Sequence, residues 1–174
     1  VMQLLADKAL EEDAGTLDRR LKGAGRYLLV MEKAQHDLSD ALSHYRWAGR
    51  DRDQVFEILY QVATHLAYLN EKCGRIHGDV KARNLIQMLV ETEHGTKMEW
   101  VLIDLDASCE IGAAAGQKLT STSMFPPEMA RQYLAEDVNM EPVTASAQLE
   151  FWYFGCLVYQ LCTLAVSYTH LTLP

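Results

Sequence analysis

The octapeptide His77-Gly78-Asp79-Val80-Lys81-Ala82-Arg83-Asn84 sets a carboxylate, an ammonium and a carboxamide close together on one short stretch of chain. A second carboxylate, Asp104, follows 25 residues after Asp79, at the end of the apolar run Val101-Leu102-Ile103. These residue types in this combination fit phosphoryl transfer. One carboxylate orients the attacking hydroxyl and accepts its proton. A cation neutralises charge on the transferring phosphate. Mg²⁺ takes hard oxygen ligands, namely carboxylates, amides and water.

Several elements must position those side chains. Asp51 stands three residues before Gln54, the spacing of a capping box, and Val55, Leu59, Val62, Leu66 and Leu69 then recur at helical spacing. Gly74 is placed to end that helix. A charged loop, 75–85, carries the octapeptide. Residues 86–90 and 99–103 are predicted strands joined by a polar turn, 91–98, that contains Gly95. The second strand delivers Asp104. Residues 104–127 are irregular and rich in Ala, Gly, Ser and Thr, a length that marks a functional or mobile segment in a compact domain. Pro127 suits the first turn of a helix reaching residue 135. Residues 145–164, apolar nearly all round, are predicted to form a helix at the centre of a core. Upstream, 1–6 and 27–32 are predicted strands separated by a polar connection, and Asp37 caps a short helix ending near residue 45. No internal repeat is found.

With 174 residues, 49% of them hydrophobic, the chain can bury the core of one domain. Acidic residues outnumber basic ones, 24 to 16, for a net charge of −8. That argues against nucleic acid as the main partner and is compatible with a basic peptide or a nucleotide held through metal ions. Cys73, Cys109, Cys156 and Cys162 form no C-x-x-C pair and have no His at zinc-ligand spacing. They read as reduced thiols of an intracellular protein. No basic-then-apolar leader opens the chain, and its longest apolar run, 151–166, is short and interrupted by Gln160, so no membrane span is expected in this segment.

The octapeptide resembles the catalytic loop of the protein kinases, H-R-D-L-x-x-x-N, and that family's later D-F-G and A-P-E motifs have counterparts in Asp104-Leu105-Asp106 and Pro126-Pro127-Glu128. Glu150-Phe151-Trp152-Tyr153-Phe154-Gly155 looks like the D-x-W-S-F-G helix, and Tyr27-Leu28-Leu29-Val30-Met31-Glu32-Lys33-Ala34 looks like the strand leading into the hinge. The four landmarks keep their order along residues 1–164. The resemblance implies an α+β, protein-kinase-like fold with a mostly helical large lobe and a remnant of the small-lobe sheet. It implies ATP and Mg²⁺ as cofactors and a protein as substrate. It casts Asp79 as catalytic base, Lys81 as a γ-phosphate contact, and Asn84 and Asp104 as Mg²⁺ ligands. Met31 matches the gatekeeper, the backbone of Glu32 and Ala34 would meet adenine, and Ile86 and Ile103 would lie beside the nucleotide. Lys81, two residues after Asp79, and Ser121 are similar to the serine/threonine branch. The implied division is 1–35 for the small-lobe remnant and hinge, 36–165 for an incomplete large lobe, and 166–174 for a tail that looks like translated adapter sequence. An intracellular, cytoplasmic location is expected.

Departures from the pattern carry their own expectations. Gly78 stands where the family has an Arg that pairs with a phosphorylated activation loop, so activity independent of such phosphorylation is expected. Leu105 and Asp106 replace Phe and Gly. Leu105 is expected to fill an apolar slot. Asp106 is expected to take the positive φ that Asp tolerates, and either adds a carboxylate near the metal or is solvated. Glu150 replaces an Asp that anchors the catalytic loop, and its extra methylene predicts a looser anchor. No Gly-rich loop, strand Lys or partnering helix Glu precedes Tyr27, so this chain by itself is expected to be catalytically silent. Two other readings stay open. His-Gly-Asp and Ile-Asp-Leu-Asp also match small-molecule phosphotransferases of the aminoglycoside and choline type. Against these stand Lys81, the Thr/Ser-rich segment, Pro126-Pro127-Glu128 and Trp152-x-Phe154-Gly155. A pseudokinase scaffold is the other, opposed by the presence of Asp79, Lys81, Asn84 and Asp104. His77 is expected to be a packed structural residue, His36, His44, His65 and His94 to lie on the surface or helix faces, and Trp152, Tyr153 and Phe154 to be core.

Overall fold

A computed structural model describes residues 6–9, 27–30, 33–45, 49–93, 95–116, 124–134 and 141–163. The chain divides into two compact units, Val1–Ala34 and Gln35–Pro174. In the first, β1 (Ala6–Ala9) pairs antiparallel with β2 (Tyr27–Val30), Ala6 opposite Val30. Ala6, the last residue of the first expected strand, opens β1. The predicted span 1–5, and Met31 and Glu32, lie outside the described residues.

The second unit mixes four helices with two small antiparallel sheets among its described residues, an α+β arrangement. Helix α1 (Leu38–Tyr45) starts as expected, with Asp37 Oδ1 accepting the Asp40 N–H at 2.8 Å. Helix α2 (Arg52–Glu71) has Asp51 as its N-cap, Oδ1 accepting from Gln54 N at 3.0 Å, which satisfies one of the orphan donors of the first turn. Its buried stripe is Val55, Ile58, Val62 and Leu66, and the opposite face leaves Phe56 and Tyr60 in solvent. Beyond its C-cap the chain turns at Gly74 with φ +63, a conformation glycine adopts freely.

After α2 come β3 (Arg75–Ile76), β4 (Leu85–Thr92), β5 (Gly95–Leu102) and β6 (Cys109–Glu110). β4 and β5 pair in register from Leu85 opposite Leu102 to Thr92 opposite Gly95. The hairpin is longer than predicted, because the polar residues of 91–98 continue the ladder and solvate its outer end. β3 pairs with β6, Arg75 opposite Glu110 and Ile76 opposite Cys109. Residues on each side of Asp104 thus belong to two different sheets.

Helix α3 (Pro127–Leu134) begins at the proline and helix α4 (Ala147–Thr163) closes the described chain. The α2 stripe, Leu38, Leu85 and Trp100 pack with Tyr153, Leu157 and Leu161 of α4 into the main core. A smaller cluster joins Ile76, Ala115, Met129, Ala145 and Leu149. α4 is not enclosed all round. Leu149, Tyr153, Leu157 and Leu161 repeat every four residues on its buried face, whereas Phe151 is 68% and Tyr159 50% exposed. Trp152 is also partly exposed, its indole N–H donating to Met124 O at 3.1 Å, so of the expected aromatic core only Tyr153 is fully buried. Hydropathy could not separate the faces because both are apolar. No helix among the described residues is long and apolar enough to cross a membrane.

Candidate active site

The octapeptide spans the loop between β3 and β4, and α4 holds it from behind. Glu150 is only 1% exposed, yet both its carboxylate oxygens are used: Oε2 accepts from His77 N at 2.5 Å and Oε1 from Gly78 N at 3.1 Å. Sequence reasoning expected a looser anchor. The Glu150 carboxylate instead bridges two successive backbone N–H groups, which satisfies two buried donors at once.

His77 is fully buried and works structurally, as expected. Its Nδ1 accepts from Asp79 N at 3.2 Å, which leaves Nε2–H to donate to Ile103 O at 2.9 Å. Burial pushes its pKa below the ordinary imidazole value, against the opposing pull of the Ile103 hydrogen bond and of the Glu150, Asp79 and Asp104 carboxyls. The neutral ring is what this two-way bonding requires. Gly78 has φ +79, and a Cβ there would lie 2.7 Å from the Ala107 carbonyl oxygen. The position is thus closed to side chains, so the missing Arg is a steric necessity of this packing.

Asp79, 7% exposed, forms a tight cluster with the next two candidates. Lys81 Nζ donates to Asp79 Oδ2 at 2.5 Å, and Asn84 Nδ2 donates both to Asp79 O at 2.9 Å and to Oδ2 at 3.2 Å. A 3-10 turn over Ala82–Asn84 brings Asn84 back, with Asn84 N donating to Lys81 O at 2.9 Å. Because both Asn84 contacts are acceptors, its nitrogen must face Asp79 and its Oδ1 is turned elsewhere. Among the described residues no group donates to Asp79 Oδ1.

Asp104 reaches this cluster through Ile103. Ile103 N donates to Asn84 O at 2.9 Å while its carbonyl accepts from His77, so the residue before Asp104 is tied to both ends of the octapeptide. Asp104 itself has φ 67 and ψ 69, the left-handed region that Asp enters more readily than most residues. The positive φ expected at Asp106 is therefore at Asp104. Asp106 lies inside a 3-10 turn, Leu105–Ala107, closed by Ser108 N donating to Leu105 O at 2.9 Å. Leu105 does not fill an apolar slot, since that surface turn leaves it 57% exposed.

Of the other candidates, Ile86 is buried on β4, where it forms a bridge with Asp37, and Ile103 is half-buried. Ala34 belongs to the first unit. Met31, Glu32 and Ser121 lie outside the described residues. Arg75 was missed. It stands in the charged loop without motif, and only the pairing of β3 with β6 brings its guanidinium to Ser108 and Glu110.

The donor set suits a hard divalent cation. The Asp104 carboxylate has no hydrogen-bond or ion-pair partner among the described residues, and Asn84 presents an oxygen not used by Asp79. Among the described residues no three His, Cys, Asp or Glu side chains converge as a metal site. Mg²⁺ is commonly bound through one or two carboxylates, with phosphate oxygens and water completing the octahedron, and the Asp104 and Asn84 oxygens are of the type it takes. A cleft of about 390 Å³ lies nearby, lined by Arg75, Asp106, Ser108 and Glu110. None of Asp79, Lys81, Asn84 or Asp104 lines it, and it is not the site.

A family model described as fungal protein kinase matches residues 36–150. That is about two thirds of the chain, and it contains the octapeptide, Asp104 and Glu150. Loop, metal-type donors and buried glutamate anchor all fall inside the matched region, and this chain belongs to the fungal protein kinase family.

Proposed function

We propose that this chain carries the phosphoryl-transfer residues of a serine/threonine protein kinase that moves the γ-phosphate of ATP to a protein hydroxyl with Mg²⁺. The carrying observation is the asymmetry of Asp79. Its Oδ2 is occupied by Lys81 and Asn84, so the carboxylate is held in one orientation, while Oδ1 is left to receive the proton of an incoming hydroxyl. Lys81 Nζ keeps two protons for a phosphate oxygen. Asn84 Oδ1 and Asp104 would hold Mg²⁺, which when bound neutralises charge on the phosphates. Ile86 and Ile103 would contact the nucleotide. In this reading 1–35, which includes the β1–β2 pair, is the small-lobe remnant and hinge, and 36–165 is the incomplete large lobe. ATP as donor supports an intracellular, cytoplasmic location. Serine/threonine preference is supported by Lys81 two residues after Asp79.

The test is Asp79→Asn in the intact protein. Phosphate transfer to serine and threonine peptides should fall by about 10²–10⁴-fold, with ATP binding retained. Near-normal transfer would remove Asp79 from the base role. Transfer to a small amino alcohol but to no peptide would favour the small-molecule phosphotransferase reading. Mg²⁺-independent ATP binding without any transfer would favour a scaffold.

A further inference from the structure

Residues 103–111 form an arch that presents Asp104. The upstream foot is fixed at Ile103, bonded to Asn84 and His77. The downstream foot is fixed by Arg75, which lies outside the octapeptide. Arg75 Nε donates to Ser108 Oγ at 3.2 Å and Nη2 to Ser108 O at 3.1 Å, while Nη1 lies 3.6 Å from Glu110 Oε1. The arginine is itself fixed. Its carbonyl accepts from Asn70 Nδ2 of α2 at 2.9 Å, its backbone pairs with Glu110, and Ile111 N donates to Gly74 O at 2.9 Å.

This grip has a purpose in the arch. Asp104 is the one non-glycine residue with positive φ among the described residues, a conformation that persists only where the surroundings over-determine it. Gly78, on the facing loop, touches the arch through backbone packing on Ala107 and has no side chain to restrain it. The planar fork of Arg75 makes three contacts on two residues, which a point charge cannot reproduce.

We propose that Arg75 is a positioning residue for Asp104, clamping the arch through Ser108 and Glu110 so that the Asp104 carboxylate is held for the metal without any phosphorylated residue. This rests on the metal role given to Asp104 under the proposed function. Arg75 lies outside the Asp79–Lys81–Asn84 cluster and acts through the backbone of residues 104–108.

The experiment uses the intact protein and its Arg75→Ala, Arg75→Lys and Ser108→Ala variants. Two quantities are read: the Mg²⁺ concentration that half-saturates ATP binding, and amide exchange at Ser108 and Ile111 against that of Val62 in α2. Arg75→Ala should raise the Mg²⁺ requirement by about tenfold, the scale of lost outer-sphere support, and speed exchange at Ile111 but not at Val62. ATP binding in chelator should be unchanged. Ser108→Ala should show a smaller shift of the same sign, and Arg75→Lys should restore little. A folded Arg75→Ala whose Mg²⁺ requirement stays within about twofold of the unsubstituted protein overturns the proposal. Where Arg75→Ala does not fold, Ser108→Ala, which removes one hydrogen bond, decides on the same criterion. If the unsubstituted protein binds ATP with no Mg²⁺ dependence, the metal role of Asp104 fails first and the clamp's function fails with it.

Discussion

Replacing Glu150 by Gln isolates the link between α4 and the catalytic-type loop. The side chain keeps its length and shape, so no cavity opens in a position that is 1% exposed. What changes is the hydrogen-bonding pattern. The carboxylate accepts from His77 N and Gly78 N through separate oxygens. A carboxamide has one oxygen, so its NH₂ would face the second backbone N–H, donor against donor. One charge-assisted bond is lost, one buried donor is stranded, and the remaining bond loses its charge. Hydrogen bonds to charged groups contribute about 1.5–3 kcal/mol and a stranded buried donor costs about 1–3 kcal/mol. These terms overlap on the same N–H, so the expected loss is about 2–4 kcal/mol, a large share of the ~5–15 kcal/mol that stabilises a typical domain. Urea unfolding followed by tryptophan fluorescence reads it, since Trp100 is buried in the main core. Amide exchange should accelerate at His77 and Gly78 beyond the global change. Loss of less than about 0.5 kcal/mol, the range of an inert surface change, would show that the two N–H groups have other partners and that the anchor is not what holds the loop.

Two further perturbations probe the same region. Gly78→Ala puts a methyl 2.7 Å from the Ala107 carbonyl at φ +79; a loss of about 1–3 kcal/mol is expected, and an unchanged melting temperature would refute the close packing of loop on arch. Acid should destabilise the fold through His77 and His65, whose pKa values are both lowered by burial. The unfolded chain takes up these protons near pH 6.5 and the folded chain only at lower pH, so stability falls as pH drops through that window, by up to about 1.4 kcal/mol per unit for the fully buried His77 and by less for the solvent-screened His65. Chemical unfolding at steps between pH 7 and 5 measures the slope, with His65→Gln removing one share; no slope in the unsubstituted protein would contradict both burials.

Local chemistry was readable wherever neighbours in sequence make the structure. The α2 cap, the turn at Gly74, the start of α3 at Pro127 and the inward stripe of α2 all depend on residues within one or two helical turns. The grouping of Asp79, Lys81 and Asn84 is likewise local, since a single 3-10 turn suffices to bring Asn84 Nδ2 to Asp79. Hydropathy failed at α4, because a helix with two apolar faces does not declare which one is covered. Glu150, the acidic residue of the buried face, was legible as the loop anchor only through the resemblance, because its burial is explained by backbone donors 72 and 73 residues away.

Residue type, order and short spacing were enough to single out the loop and its family, because the octapeptide and the landmarks around it keep the kinase order and the matched region contains the octapeptide, Asp104 and Glu150. Tertiary structure alone decided how those groups are held. It set the neutral Nε2–H tautomer of His77, the left-handed backbone of Asp104 in place of Asp106, the exclusion of any side chain at Gly78, and the recruitment of Arg75 to Ser108. Each of these depends on contacts across long stretches of chain, where only the pairing of β3 with β6 and the packing of α4 against the loop bring the partners within reach.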